Sequence, residues 1–439
     1  MAEVYHTCII VPWTLLCSGS DEDVNEEQDF AAAKQKAVKS IEGVLCRLKA
    51  DVTKTLLLVS GEITTDLNAV ANKYNATIKG MENTESVEDI LIGSKQMIDD
   101  LSVSTVYMVI PDSHMNYCKT VSSFIFNTFT YQVGFEAMNV GLPTESNDKN
   151  EESVLKSIRE KLKLLPSSDG LPLKTLKTML IPNDRFYHGY TTRTGGVSTH
   201  PTMRSLPLAM SLRKKDTRVY IEENRRRLAE SEGFDVQKFE SASAVHGIDV
   251  WVIGDEQPES YDAIVTDKPG YTIAAPGADC QTLLFCDPVK MVVGAAHSGW
   301  KGTIDRIQQN VVRVMKERFG CKPSDILVAI GPSIGVCCYN VDENRAKEFI
   351  DGVAESVVQR REGIPYLDLW QATKILLAEV GVKPENIDGG NRNNADVDGL
   401  GSQKVTQCTS CNKDKFFSYR RDGVLFGNQV GYIGIKMRS

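Results

Sequence analysis

The sequence predicts an α/β protein in two parts: a small N-terminal α/β domain, then a mixed α/β sandwich. Three observations carry this. At 439 residues the chain is longer than one ordinary core organises. Residues 1–140 alternate short apolar runs with helical patterns, the rhythm of β-α-β units. After residue 260, short strands follow one another closely and lead into an amphipathic helix.

The elements follow in order. Cys8-Ile9-Ile10-Val11 reads as a buried strand. Residues 31–48 read as a helix, approached through the acidic Ser20-Asp21-Glu22-Asp23, and acidic groups suit a helix N-terminus. Leu56-Leu57-Leu58-Val59 is a buried strand ending at Ser60-Gly61. Helical patterns cover 67–74 and 87–101, and Val106-Tyr107-Met108-Val109-Ile110 is a strand stopped by Pro111. No nucleotide-type glycine loop is present, since Gly61 and Gly80 stand alone. Residues 143–152 are polar and read as a loop, and a helix follows over 154–164. Pro166-Ser167-Ser168-Asp169-Gly170 reads as the linker. It divides the chain into an N-terminal α/β domain at 1–170 and a second domain at 171–439.

In the second part, residues 186–193 read as a strand running into a turn at Gly195-Gly196. Residues 217–230 read as a charged helix. Strands are predicted at 263–265, 271–275, 282–285 and 291–296, with Asp287-Pro288 as the turn between the last two. Over 303–319, Ile304, Ile307, Val311, Val314 and Met315 share one helical face, and Gly320 stops the helix. Residues 326–330 read as a buried strand ending at Gly331-Pro332.

Composition narrows the function. The chain is 41% hydrophobic and 25% charged with a net charge of −8, as expected of a soluble acidic globule. That balance argues against general nucleic-acid or anionic-membrane binding. No apolar run is long enough to span a bilayer, and the first residues lack a basic signal region. Lys436-Met437-Arg438-Ser439 matches no lipidation or retention signal. Eleven cysteines is an odd number, which suits a reducing, cytoplasmic compartment better than a disulfide framework. Cys337-Cys338 reads as two buried small residues on a strand. Cys408 and Cys411 form one CxxC without a second pair.

The chemistry concentrates between residues 246 and 302. The chain has six histidines, and His246 and His297 flank Cys280 there. Two imidazoles and a thiolate are a ligand set for zinc that leaves a fourth position open. Spacing alone does not bring the three together. Taken alone, it favours two structural histidines and a buried thiol.

Six motifs then occur in a telling order. They are Thr192-Arg193-Thr194-Gly195-Gly196-Val197-Ser198, His246-Gly247, Ala278-Asp279-Cys280, His297-Ser298-Gly299-Trp300-Lys301-Gly302, Ile330-Gly331-Pro332 and Phe417-Ser418-Tyr419-Arg420-Arg421. Over residues 180–439 the chain resembles the laccase-like "multicopper polyphenol oxidase" family, whose members are regarded as zinc-dependent purine nucleoside phosphorylases. Its length and extra N-terminal domain resemble the family's vertebrate member. The resemblance implies zinc at His246, Cys280 and His297. It implies phosphorolysis of adenosine, inosine, guanosine and methylthioadenosine, adenosine deamination as a second activity, and a role in immune-cell purine metabolism and inflammation.

Within that expectation Asp279 is a candidate general acid or orienter of the metal ligands, or else a turn residue capping backbone amides. Arg193, Arg420 and Arg421 are candidate bidentate donors to phosphate, or else surface charges. Lys301 with the amides of 299–302 could form an anion nest before a helix. His188 is a candidate substrate contact, or a structural histidine. Two positions depart from the family: Asn340 where glutamate is common, and Phe426-Gly427-Asn428 in place of Thr-Gly-Arg.

Three competing readings follow. A copper oxidase needs many histidines, usually in His-x-His pairs, and this chain has none. A metal-free cysteine hydrolase would use Cys280 as nucleophile. A non-catalytic scaffold would use the N-terminal domain to bind a protein partner. Expected partners are purine nucleosides, inorganic phosphate, a second copy in a homodimer and an unknown protein for residues 1–170.

Overall fold

The computed structural model describes residues 7–12, 26–48, 55–60, 64–74, 76–81, 86–138, 150–210, 216–389 and 405–437. The acidic segment at 20–23, Gly61, positions 143–149 of the predicted loop, residues 1–6 and Arg438-Ser439 lie outside them. The chain forms two compact units. The first holds Met1–Pro166 with two returning stretches, Thr199–Pro201 and Leu212–Glu223; the second holds the remainder.

The first unit contains β1 (Thr7–Pro12), α1 (Glu26–Leu48), β2 (Thr55–Ser60), α2 (Thr64–Lys73), β3 (Ala76–Met81), α3 (Val87–Asp100), β4 (Thr105–Pro111), α4 (Met115–Ile125), β5 (Gln132–Met138) and α5 (Glu151–Leu164). The strands form one sheet in the order β3-β2-β1-β4-β5, parallel throughout. Parallel strands joined by helices are covered on both faces, so the central strands carry unbroken apolar runs through their middles, Cys8-Ile9-Ile10-Val11, Leu56-Leu57-Leu58-Val59 and Val106-Tyr107-Met108-Val109-Ile110. On one face Ile9, Val11, Leu57, Val59 and Val109 meet Ala33, Ala37, Ile41 and Leu67 of α1 and α2. On the other, Ile10, Met108 and Ile110 meet Val87, Ile90 and Leu91 of α3. Ser86 caps α3 by accepting the Asp89 amide.

A buried polar knot ties the returning stretches into this unit. Lys95 and Asp99 pair at 2.7 Å with both side chains essentially inaccessible. Thr199 and Tyr131 both donate hydroxyl hydrogen bonds to Asp99. The Lys95 ammonium lies 5.0 Å from the Tyr220 ring centroid. Thr199 and Tyr220 belong to the two stretches that return.

The second unit adds β6 (Thr175–Leu176), β7 (Phe186–Thr191), α6 (Arg218–Glu232), β8 (Phe239–Ser241), β9 (Val250–Val252), β10 (Ala263–Thr266), β11 (Thr272–Gly277), β12 (Gln281–Asp287) and β13 (Val292–Ser298). The division between units falls inside α6. There follow α7 (Trp300–Ile304), α8 (Ile307–Phe319), β14 (Leu327–Ile330), α9 (Glu343–Gly352), β15 (Val358–Arg361), β16 (Ile364–Leu367), α10 (Leu369–Glu379), β17 (Ile387–Asp388), α11 (Tyr419–Asp422) and β18 (Gln429–Ile435).

Two mixed sheets, β17-β14-β12-β13-β10-β9 and β6-β7-β18-β11-β8, share one core. Tyr190, Ile273 and Ile433 of the second meet Ile264, Leu284, Val293 and Ala295 of the first. The opposite face of the first sheet, with Val265, Leu283 and Phe285, is covered by Ile307, Val311 and Met315 of α8. The opposite face of the other, with Ala274 and Tyr432, is covered by Leu228 and Ala229 of α6. This is an α/β sandwich with helices on its outer faces.

Two expectations need correction. The helix predicted over 303–319 is two helices, because Arg306 takes a left-handed conformation at φ 72° and breaks it. Gly320 does close the second helix, at φ 68°. Cys337-Cys338 lies in a turn and not on a buried strand; Cys337 is exposed and Cys338 half-buried.

Candidate active site and metal centre

Three chain segments meet at one end of the sandwich. His246 lies in the loop between β8 and β9, Cys280 immediately precedes β12, and His297 is the penultimate residue of β13. The hairpin register sets Thr282 opposite His297 and Gln281 opposite Ser298. Side chains alternate along strands. His297 therefore shares the face of Val293 and Ala295, and Cys280 the face of Leu284 and Cys286, which is the face lining the inter-sheet core.

The convergence that spacing could not force is real in the structure. The ligand atoms of His246, Cys280 and His297 lie within 4.8 Å of one another. Cys280 Sγ is 3.7 Å from His246 Nε2, and the two imidazoles meet edge-to-face with centroids 4.8 Å apart. A tetrahedral zinc with ordinary Zn–S and Zn–N bonds would separate such atoms by roughly 3.6 Å.

Asp262 holds this arrangement, and the sequence reading missed it. It directly precedes β10 and is wholly buried. Its Oδ1 lies 2.8 Å from His297 Nδ1 and accepts the His246 amide at 3.0 Å. Its Oδ2 accepts the amides of Val245 at 3.1 Å and Gly247 at 2.8 Å. The carboxylate thus fixes the loop that presents His246. It also accepts the proton of His297 Nδ1, so Nε2 is the nitrogen left to meet Cys280, and a metal held there would displace the Nε2 proton. Burial raises the Asp262 pKa, but His297 and the loop amides outweigh it and the carboxyl is held below its usual range.

Local backbone shape contributes too. His246 and Asp279 both have left-handed φ, 64° and 93°, uncommon for residues with a Cβ. Gly299 caps α7, and a Cβ there would stand 3.0 Å from both Cys280 Sγ and His246 Cδ2. A side chain at 299 would press directly on two of the three donors.

The electrostatics favour a thiolate. Burial pushes the Cys280 thiol up, but His297 and His246 outweigh it and bring it down to about 6. Burial pushes His297 down, and the Cys280 thiolate with Asp262 raises it to about 10. The chemical content is a preformed anionic sulfur between two imidazoles. Such a donor set fits zinc or copper.

The other predicted residues divide. Asp279 Oδ1 accepts from Thr409 Oγ1 at 2.7 Å and Oδ2 from the Arg420 amide at 2.6 Å, so the carboxylate joins the Cys280 turn to the C-terminal segments. Arg420 donates to Asn340 Oδ1, and its guanidinium lies 5.5 Å from the Tyr339 ring centroid. Asn340, where the family commonly has glutamate, thus leaves Arg420 paired with a neutral group. Burial and the nearby Cys280 raise the Tyr339 phenol to about 12, while Arg345 and Arg420 pull it down. Arg345 itself stacks over Trp300 at 3.1 Å. Lys301 is exposed and lies 3.6 Å from Asp305.

Arg193 and Arg421 are engaged otherwise. Arg193 donates to the carbonyls of Arg204 and Lys413 and lies over Phe417. Arg421 forms a bidentate pair with Asp422 and donates to the carbonyls of Thr409 and Phe416. His188 is buried on β7, and its Nε2 meets the Thr178 carbonyl at 3.0 Å. Asn428 accepts the Leu208 amide through its carbonyl.

Known proteins share this second unit and more. Residues 187–436 match the family described as multi-copper polyphenol oxidoreductase laccase. The protein named purine nucleoside phosphorylase LACC1 of Homo sapiens is 38% identical over 378 residues, 83% of this chain and 85% of that one. The protein named purine nucleoside phosphorylase of Deinococcus radiodurans is 36% identical over 276 residues, 62% of this chain and 96% of that one. The crystal structure of YlmD from Geobacillus stearothermophilus aligns with a TM-score of 0.50 at 30% identity, over 57% of this chain and 92% of that one. The chain therefore belongs to the multi-copper polyphenol oxidoreductase laccase family, and the human and Deinococcus relatives carry the name purine nucleoside phosphorylase.

Proposed function

We propose that the chain is a zinc-dependent purine nucleoside phosphorylase acting on adenosine, inosine, guanosine and methylthioadenosine, with adenosine deamination as a second activity. The observation that supports this reading most is the convergence of His246, Cys280 and His297 under Asp262. His297 Nε2, His246 Nε2 and Cys280 Sγ would hold the zinc. Bound there, zinc supplies Lewis acidity and a water whose pKa is lowered toward about 7.

The chain's own residues do the rest. Phosphorolysis joins a phosphate oxygen to C1′ as the C1′–N9 bond breaks; the purine leaves with that electron pair and takes up a proton from phosphate or solvent, giving the free base and ribose 1-phosphate, or 5-methylthioribose 1-phosphate from methylthioadenosine. Positive charge builds on the sugar, so the phosphate must be held close as an anion. Arg420 and Lys301, with Arg345, supply the positive field, and Asn340 leaves the Arg420 charge unneutralised. Asp279 and Arg421 position the turn and the C-terminal segments around Arg420. Asp262 keeps His297 in one tautomer throughout. The setting carried over from the family is immune-cell purine metabolism and inflammation, in the cytoplasm. No described helix is long and apolar enough to cross a membrane. The first unit has no cluster of metal-binding groups among its described residues, and regulation or partner binding is its proposed role, with the whole chain acting as a homodimer.

A second reading is favoured by one observation. Cys280, His297 and Asp262 also stand in the order nucleophile, base and orienter of a metal-free cysteine hydrolase, with the thiol already lowered to about 6. One assay separates the readings. Pure protein is incubated with adenosine and phosphate, with and without a chelator, and adenine, inosine, hypoxanthine and ribose 1-phosphate are separated. Products lost with chelator and in Cys280→Ala are expected. Absence of any purine product, or a Cys280→Ala protein as active as the parent, sinks the proposal. Turnover that survives the chelator favours the hydrolase. Oxygen-dependent oxidation of a phenol by copper-loaded protein would revive the oxidase.

A further inference from the structure

A second metal-ligand cluster stands apart from the His–Cys–His centre. Cys337 and Cys338 follow Gly335 in the turn after β14, and Cys408 and Cys411 form the CxxC near the C-terminus. In sequence Cys411 lies 74 residues from Cys337 and 73 from Cys338. The structure joins them: Ser333 pairs with Cys408 in a parallel bridge, Ser333 N–H donates to the Gln407 carbonyl and Thr409 N–H to the Ser333 carbonyl. All four sulfurs lie within 4.8 Å of one another, and all four are free thiols. Cys338 Sγ is 3.2 Å and Cys337 Sγ 3.5 Å from Cys411 Sγ. A tetrahedral zinc tetrathiolate places its sulfurs roughly 3.8 Å apart, which follows from a Zn–S bond of about 2.3 Å.

The surroundings suit an anionic cluster. Arg361 donates to the Cys337 carbonyl, Arg420 to the Cys338 carbonyl, and Arg421 to the Thr409 and Ser410 carbonyls inside the CxxC loop. Three guanidiniums therefore border four groups that are neutral as thiols but carry net negative charge as a zinc tetrathiolate.

We propose that Cys337, Cys338, Cys408 and Cys411 bind one structural zinc ion as a tetrathiolate, separate from the active-site metal, and that this ion clamps the turn after β14 to the C-terminal CxxC loop. The site is closed, with four protein ligands and no open position, so its role is structural. Its effect on function is positional. Thr409, between the two CxxC cysteines, donates to Asp279 beside Cys280, and the Cys338 carbonyl accepts from Arg420. The clamp therefore supports one wall of the active site without touching substrate.

The test uses the full-length chain, purified under reducing conditions, in a Cys280→Ala background that removes the sulfur of the other site. Zinc is measured by elemental analysis, and cobalt is then exchanged in. One equivalent of tightly held zinc per chain is expected. The cobalt form should show sulfur-to-metal charge transfer and the intense visible bands of a tetrahedral tetrathiolate. Adding Cys411→Ser should abolish that equivalent, and adding Cys411→His should keep it with a shifted cobalt spectrum. The cobalt measurement on Cys280→Ala alone needs no change in the cluster, so poor folding of a cluster variant does not blunt it. Four freely titrating thiols with no retained metal, a disulfide within the cluster, or a cobalt spectrum without thiolate bands overturns the proposal.

Discussion

Replacing Asp262 with asparagine tests the core of the site with no change in volume. The carboxylate accepts four hydrogen bonds in two pairs: His246 N–H and His297 Nδ1–H at Oδ1, Val245 N–H and Gly247 N–H at Oδ2. An amide can accept at only one of these ends. Whichever way the new side chain turned, two donors would face its NH2 group. A hydrogen bond to a charged group is worth about 1.5–3 kcal/mol, so two lost bonds cost about 3–6 kcal/mol of stability. If His297 flips tautomer to accept from the amide, its Nε2 carries the proton and can no longer ligate. Loss of an outer partner of this kind lowers metal affinity about 10–100-fold. Urea unfolding with chelator present reads the first quantity, and zinc competition against a chromogenic chelator reads the second. An Asp262→Asn variant that unfolds at the parental midpoint and binds zinc as tightly as the parent refutes the reasoning.

Three further outcomes are expected. Gly299→Ala should fold normally, since its φ is −74°, yet lose about tenfold in zinc affinity or turnover because the new Cβ crowds Cys280 and His246; parental kinetics would show that the donors have room to move. Burial holds His188 near pKa 4, against a Thr178 carbonyl that raises it. Between about pH 6.5 and 4 the unfolded chain binds a proton the folded chain refuses, so stability falls with pH by up to about 3 kcal/mol, and calorimetry should find His188→Gln less steep over that window. Lys95→Met leaves Asp99 charged and buried and should cost about 3–5 kcal/mol in denaturant unfolding; an unchanged midpoint would mean Tyr131 and Thr199 satisfy the carboxylate by themselves.

What could be read from the sequence follows burial. The central strands β1, β2 and β4 declare themselves as apolar runs because both faces are covered. The strands β3 and β5 passed unnoticed. They are the two edges of the sheet, half-exposed, with Lys79 and Glu136 among their residues. The break at Arg306 is invisible because the apolar stripe continues across it, and arginine gives no signal for a left-handed turn. At the site, the triad could be named as a ligand set, but only the β12–β13 register and the Asp262 hydrogen bonds bring it together. Asp262 itself looks like any polar residue before a strand. Cys337-Cys338 and Cys408-Cys411 could not be matched as pairs, because their proximity depends on one bridge at Ser333.

The returning stretches of the first unit bear on how the protein is made. Thr199 and Tyr220 complete the surroundings of Lys95 and Asp99, so that unit is not closed when its own sheet has emerged from the ribosome. It waits for the chain to reach residue 223. At about 5–20 residues per second the interval after residue 166 is roughly 3–11 s. During it a lysine and an aspartate that will be buried still lack part of their enclosure. The nascent chain therefore stays open to chaperones and proteases at this spot through that interval, and a first half expressed from a gene split at the linker would lack the Thr199 and Tyr220 contacts altogether.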